Sequence, residues 1–268
     1  MFVNWGLEAK KWQLLIRGIQ HITFLKAYRS ILAGQALAFN TINGIGEYAG
    51  RVAYLADGNR LRAIAVTFVG SLSQLITTVV MGLSGLLYMR LFLMDKQHYF
   101  KGLSVYLLDG LMWGLCIGMV LLVALYFSLS WFTKAVERLP FVSKYSYFIR
   151  NVEDFTNMEL TRVLLLSIFR YTVFVLQYLL LLQIFGVNAY WMSLAWLVCV
   201  LFLVLAIVPS VTLAELGLRG AVSIQLFGLL STNFIGIIFT ATGIWLINRM
   251  LPALAGSLLI LGIKLFKK

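Results

Sequence analysis

Two short stretches set a glutamate and an arginine four residues apart, Glu47 with Arg51 and Glu215 with Arg219, inside sequence that is otherwise apolar. Four residues is just over one helical turn, so each pair shares a helix face with its charges in reach of one another. The stretches read Ile45-Gly46-Glu47-Tyr48-Ala49-Gly50-Arg51 and Leu213-Ala214-Glu215-Leu216-Gly217-Leu218-Arg219, and their glutamates stand 168 positions apart. Each follows a break in the apolar pattern, Asn40-Thr41-Ile42-Asn43-Gly44 before the first and Pro209-Ser210-Val211-Thr212 before the second. Guanidinium groups take phosphate or carboxylate through two parallel hydrogen bonds. The chemistry on offer is anion recognition, with the carboxylates orienting the arginines or relaying protons. Paired interruptions of hydrophobic segments at matching places in two halves point to a membrane transporter's binding site. The bland alternative is that each pair only staples its own helix.

Five more residues bear on that chemistry. Asp109, Arg170 and Arg249 also fall inside apolar segments. With the two pairs they make seven embedded charges, whose unpaired cost at roughly 3 kcal/mol each approaches ~20 kcal/mol. They must converge on one another or on a polar cavity. Arg249 sits beside an expected kink in Asn248-Arg249-Met250-Leu251-Pro252, whereas Asp109 and Arg170 lie nearer their helix ends. Asn43 and Thr212 stand at expected half-helix N-termini, where freed N–H groups suit an anion and where capping is the competing role. The expected substrate-binding set is therefore Glu47, Arg51, Glu215, Arg219, Arg249, Asn43 and Thr212. Gly46, Pro209 and Gly217 shape the motifs, and Gly50 and Gly220 are expected to let helices approach closely.

Other chemistries find little support. His21 and His98 have no Cys, His or acidic cluster beside them, so neither a metal site nor a catalytic triad is expected. There is no phosphate-binding loop or dinucleotide fingerprint, and no cofactor is expected. Cys116 and Cys199 read as small core residues. An enzyme is not expected.

The elements that must carry these residues are helices in a membrane. The 268 residues are 61% hydrophobic and 12% charged with mean hydropathy +0.92, against roughly a quarter charged in soluble domains. The net charge of +12 lies in loops beside hydrophobic segments, which fits anionic lipid and not nucleic acid. Residues 10–26 read as a basic amphipathic helix on the membrane surface. Segments 61–89, 103–132, 161–185, 190–208 and 234–266 are long enough to cross. If 28–56 and 190–230 form re-entrant hairpins, 15 of the 22 Lys and Arg face one side and three face the other. That bias makes the first side cytoplasmic, with both termini on it. The expected fold is all-α: a single polytopic transmembrane domain, residues 1–268, with two re-entrant helical hairpins in an inverted-repeat arrangement. Repeat one covers about 28–132, a cytoplasmic connector 133–160, and repeat two about 161–266.

Gly46-Glu47-x-x-x-Arg51, and Val208-Pro209 leading to Gly217-Leu218-Arg219, resemble the two signatures of the lysylphosphatidylglycerol synthase transmembrane-region family. This is the flippase-like domain of bacterial and archaeal membrane proteins. The resemblance implies a bacterial cytoplasmic (inner) membrane protein that moves a polar-headed lipid between leaflets. It carries over to Gly46, Glu47, Arg51, Pro209, Gly217 and Arg219. Thr41-Ile42-Asn43 replaces the family's usual proline, Glu215 stands upstream of its usual place, and typical members have further spanning helices before the segment matching Asn4–Trp12. The expected partner is an anionic phospholipid or a polyprenyl-phosphate-linked lipid, and a homo-oligomer is allowed. Two other readings remain open: an ion- or proton-coupled transporter of a small polar solute, and a non-enzymatic partner of a cell-envelope enzyme.

Overall fold

The computed structural model describes residues 1–39, 41–93, 105–129 and 155–266, without the side chains of Asn43, Val105, Leu107 and 262–266. Among the described residues every regular element is helical. In chain order these are α1 (Phe2–Leu15), α2 (Phe24–Ala38), α3 (Gly46–Val52), α4 (Arg60–Tyr88), α5 (Val105–Phe127), α6 (Asn157–Ile184), α7 (Trp191–Ile207), α8 (Thr212–Phe227), α9 (Phe234–Trp245) and α10 (Leu251–Phe266). A π-helical turn, Met89–Leu93, extends α4, and a second, Leu246–Met250, joins α9 to α10. Among the described residues four continuous helices are long and apolar enough to cross a bilayer: Asp57–Leu93, Leu108–Phe127, Asn157–Ile184 and Phe234–Leu261. The chain is a multi-pass membrane protein.

Local chemistry sets the helix boundaries. Thr156 and Glu159 form a reciprocal capping box that starts α6 inside the expected connector, at Asn157. The rest of that connector, 133–154, lies outside the described residues. Thr23 caps α2 and Asn233 caps α9 through their side chains. Pro209 forces Val208 into an extended conformation (φ −85°, ψ 111°), which ends α7. Pro252 has no N–H for the carbonyl of Asn248, and there the ladder loosens so that Leu251 N–H reaches back five residues to Leu246. The bend expected around Asn248-Arg249 and Pro252 is this π turn.

Helix α4 is the hub of the packing. Of its most apolar window 56% is buried, against 6% for α5, which lies at the periphery with Trp113, Ile117 and Leu121 exposed. Helix α3 runs back along α2, and a Cβ on Gly50 would strike the Ala33 carbonyl and the Gly34 Cα. Ser30 Oγ donates to the Arg51 carbonyl at 2.6 Å across the same crossing. The other side of α2 carries α10, with Gly256 against the Leu32 carbonyl and Phe39 6.0 Å from Trp245. Helix α7 runs antiparallel to α4, with Leu203 over Gly82 and the Trp196 carbonyl over Gly85. Each motif-bearing pair of helices therefore packs against the long helix of the other half.

The N-terminus differs from the expected surface helix. The helix covers Phe2–Leu15, and Ile16–Ile19 are turns. Trp5, Trp12, Glu8 and Lys11 are all at most 2% exposed, because α1 is wedged among α2, α4 and α6. Lys11 lies inside because its ammonium has buried partners in Glu8 and Ser167.

Candidate functional site

Both Glu-Arg pairs form the ion pair their spacing implies, Arg51 with Glu47 on α3 and Arg219 with Glu215 on α8. Neither stands alone. Arg249, on the π turn, places Nη2 3.3 Å from Glu215 Oε2. Arg51 places Nη2 2.6 Å from Oε1 of Glu8, a residue of α1.

Glu8 gathers three cations. Besides Arg51, its Oε2 accepts from Arg170 Nη1 at 2.7 Å and Lys11 Nζ at 2.9 Å. Arg170 also donates to Asn4 Oδ1 at 2.9 Å, and its guanidinium stacks 5.7 Å from the Trp5 ring and 5.4 Å from Phe174. Lys11 continues the buried chain by donating to Ser167 Oγ at 3.3 Å, which in turn lies 2.7 Å from Ser73 Oγ. Glu8, Lys11 and Asn4 are the residues that reading the sequence missed. Their spacing, Asn4-Glu8-Lys11, puts them on one helix face, and that is the signal in the sequence that points to them.

The two charge groups border one cavity of about 420 Å³. Glu47 and Gly44 reach it from the first motif, and Thr212, Glu215 and Arg219 from the second. Arg170, Arg249, Gln74, Asn248, Trp5 and Trp245 complete its polar and aromatic wall. Three arginines thus face two carboxylates across the lining. Low-dielectric walls strengthen the field of that surplus charge.

Several cavity groups keep unused hydrogen-bonding capacity. Arg219 is 7% exposed, yet only its Nη2 is engaged; Nε and Nη1 are buried and make no hydrogen bond. The Tyr178 hydroxyl, engaged with Ser223 at 2.9 Å, lies beside that guanidinium without a well-formed hydrogen bond to it. Gln74 Oε1, Asn248 Oδ1 and Trp5 Nε1 are likewise buried and unsatisfied. Unpaired buried polar atoms are costly, and these belong to residues that line one cavity.

The remaining expected residues sort by position. Arg51 does not line the cavity: Glu47 and Glu8 take its donors, and it stands 5.8 Å from the Trp12 ring behind Glu47. Thr212 does line it, as the first residue of α8, and its carbonyl accepts Trp245 Nε1 at 2.9 Å. The Asn43 side chain lies outside the described residues, and its backbone belongs to a 3-10 turn that ends at Gly44 with φ +69°. At the start of α3 the Gly46 N–H is taken by Thr41 Oγ1 at 2.9 Å, so that end offers little to an anion. Gly46 sits against the Leu37 carbonyl, whereas Gly217 and Gly220 face open space, so close helix approach explains the first glycine and not the other two. Pro209 is exposed at the break before α8. Asp109 pairs with Arg90 at 3.1 Å and is not part of the lining. Among the described residues no cluster of His, Cys, Asp and Glu could hold a metal ion. Compared with family models, curated proteins and solved structures, the chain matches none.

Proposed function

We propose that this protein is a transporter that moves a phosphate-bearing lipid, or a lipid-linked precursor, between the leaflets of a bacterial inner membrane. The observation that carries this reading is the convergence of both Glu-Arg motifs on one cavity with a surplus of arginine and an incompletely paired Arg219. The phosphate is held by Arg219 and Arg249, with Arg170 opposite. Glu215 orients the first two, while Glu47 and Glu8 hold Arg51 in place as a brace. Such a division gives Arg51 a positioning role in place of the direct contact its motif implies.

Inverted repeats fit the same reading. Shifting the first half by the 168 positions that separate Glu47 from Glu215 lays α2 on α7 and α3 on the start of α8. It lays α1 on the second half of α6, and α1 runs antiparallel to α6: Lys11 meets Ser167 while Asn4 and Glu8 meet Arg170. Counterpart helices that run oppositely are what an inverted repeat requires, and the α2–α3 and α7–α8 pairs would be its re-entrant hairpins. Rocking one half against the other around the cavity exposes the head group to alternate leaflets. Both termini face the cytoplasm in this arrangement, following the bias of Lys and Arg.

The test is transport. Purified protein in vesicles containing a fluorescent phosphatidylglycerol should accelerate its exchange between leaflets, read by quenching of the outer leaflet. Arg219→Ala and Arg249→Ala should abolish that acceleration while still eluting as folded protein. Wild-type rates in both variants reject the site.

A further inference from the structure

The cavity holds more than cation. Two of the buried, unsatisfied atoms on its lining residues are acceptors, Asn248 Oδ1 and Gln74 Oε1, and Arg219, with its unsatisfied donors, lines the same cavity. A bare phosphate satisfies the donors and leaves the Asn248 oxygen unpaired. An occupant that satisfies the whole wall carries an anion and hydrogen-bond donors together.

The amide of Asn248 cannot simply turn round to serve a phosphate. Its Nδ2 donates to the Ile244 carbonyl at 3.1 Å, and a flip would set oxygen against oxygen there. The residue is 4% exposed and is held by the π turn that Pro252 enforces, directly beside Arg249. One turn of chain thus presents a fixed acceptor next to a cation. Gln74 presents the second acceptor from α4, on the central helix of the fold.

The aromatic residues of the lining are committed in part. The Arg170 guanidinium already lies over Trp5 and Phe174, at 5.7 and 5.4 Å. A quaternary ammonium has no N–H and so cannot donate to the amide oxygens.

We propose that the cavity selects phosphodiester head groups bearing hydroxyl or primary-ammonium donors over those without donors, and that Asn248 and Gln74 are the residues that read them. This rests on the anion-site reading above and adds the other half of the occupant. A head group lacking the donors leaves a buried acceptor unpaired, which costs about 10- to 100-fold in affinity per acceptor. The occupant is either the head group of a lipid or a soluble phosphate ester of the same chemistry.

The experiment uses the full chain in vesicles with tail-labelled phosphatidylglycerol, phosphatidylethanolamine and phosphatidylcholine of identical acyl chains. Phosphatidylglycerol and phosphatidylethanolamine should exchange at least 10-fold faster than phosphatidylcholine in the wild type. Asn248→Leu, close in volume, and Gln74→Leu should each bring that ratio toward one. Equal wild-type rates for all three lipids, or an unchanged ratio in both variants, overturn the proposal. In parallel, thermal shifts of the detergent-solubilised protein compare sn-glycerol 3-phosphate with inorganic phosphate. If no lipid moves but glycerol phosphate stabilises more than phosphate, and Asn248→Leu removes the difference, the ligand is a soluble ester: the lipid reading fails and the donor-reading site stands. If no lipid moves and the two ligands shift the protein equally, the donor-reading site fails as well. Should Asn248→Leu not fold, Gln74→Leu and Asn248→Ala carry the same comparisons.

Discussion

Glu8 accepts a hydrogen bond from Arg51 Nη2 at 2.6 Å, tying the N-terminal helix to the first Glu-Arg motif across 43 residues of sequence. Its other oxygen holds Arg170 and Lys11, so one carboxylate neutralises cations from α1, α3 and α6. Glu8→Ala leaves Lys11 and Arg170 without their carboxylate and Arg51 with Glu47 alone. Removing one partner of a buried pair typically costs about 3–5 kcal/mol, because the other charge stays desolvated. Glu8→Ala should therefore show a large loss of abundance and of thermal stability in detergent, and Glu8→Gln a loss nearly as large. A variant within about 0.5 kcal/mol of wild type would mean that water reaches this cluster freely.

What the sequence disclosed followed from spacing and length. The i,i+4 intervals gave both ion pairs, the long apolar runs gave the four crossing helices, and Pro252 gave the bend beside Arg249. What stayed hidden depended on packing between distant segments. The i,i+3 interval to Glu8 marks Lys11, but its burial by α4 and α6, one position from an exposed Lys10, comes from segments distant in sequence. Glu8 was read past for the same reason, since its partners Arg51 and Arg170 lie in other helices. Arg51 and Arg219 look alike in sequence, yet Arg51 gives Nε to Glu47 and shares Nη2 between Glu47 and Glu8, whereas Arg219 keeps Nε and Nη1 unpaired. Only the assembled halves separate the two environments.

Glycines of similar appearance should respond in opposite ways. A methyl group on Gly50 meets the Ala33 carbonyl and the Gly34 Cα, both backbone atoms that cannot turn aside, and one on Gly256 meets the Leu32 carbonyl. Gly50→Ala and Gly256→Ala should each destabilise by about 1–3 kcal/mol, the cost of overpacking. Gly217 sits within helix α8 with nothing within 4 Å of a Cβ. Gly217→Ala should be neutral or stabilise by about 0.4–1 kcal/mol, since alanine restricts the unfolded chain and suits a helix. Thermal unfolding of the three variants side by side checks the ranking. Strong destabilisation by Gly217→Ala would point to a close contact that α8 makes in another conformation.

Lys11 gives a charge-specific counterpart to the Glu8 test. Its ammonium is bonded to Glu8 at 2.9 Å and to Ser167 at 3.3 Å, with an exposure of 2%. Lys11→Met keeps the aliphatic stem and removes one of the three cations around Glu8. Because Arg51 and Arg170 still satisfy that carboxylate, Lys11→Met should cost less than Glu8→Ala. In the double variant Glu8→Ala/Lys11→Met the loss should be smaller than the sum, as removing an unpaired cation relieves the cluster. Additive losses in unfolding measurements would show that the two side chains act independently.

Arg219 and Arg249 both touch Glu215, but burial separates what they contribute. The Arg249 side chain is 39% exposed and 3.3 Å from the carboxylate, a geometry worth at most about 1 kcal/mol to stability. Arg219 is buried and is the closer partner of Glu215, so Arg219→Ala leaves that carboxylate with the longer, more exposed contact alone. Arg219→Ala should lower stability by about 1–3 kcal/mol, and Arg249→Ala by less than about 1. Transport should not follow that order. Both guanidinium groups line the cavity, so both alanine variants should slow head-group exchange by at least about 10-fold, roughly the worth of one charged hydrogen bond. Arg249→Lys keeps a point charge without the planar fork and should recover part of the rate. Arg249→Ala with wild-type exchange would remove Arg249 from the binding wall. A stability loss equal to that of Arg219→Ala would instead make it a structural staple, with any rate loss following from the fold.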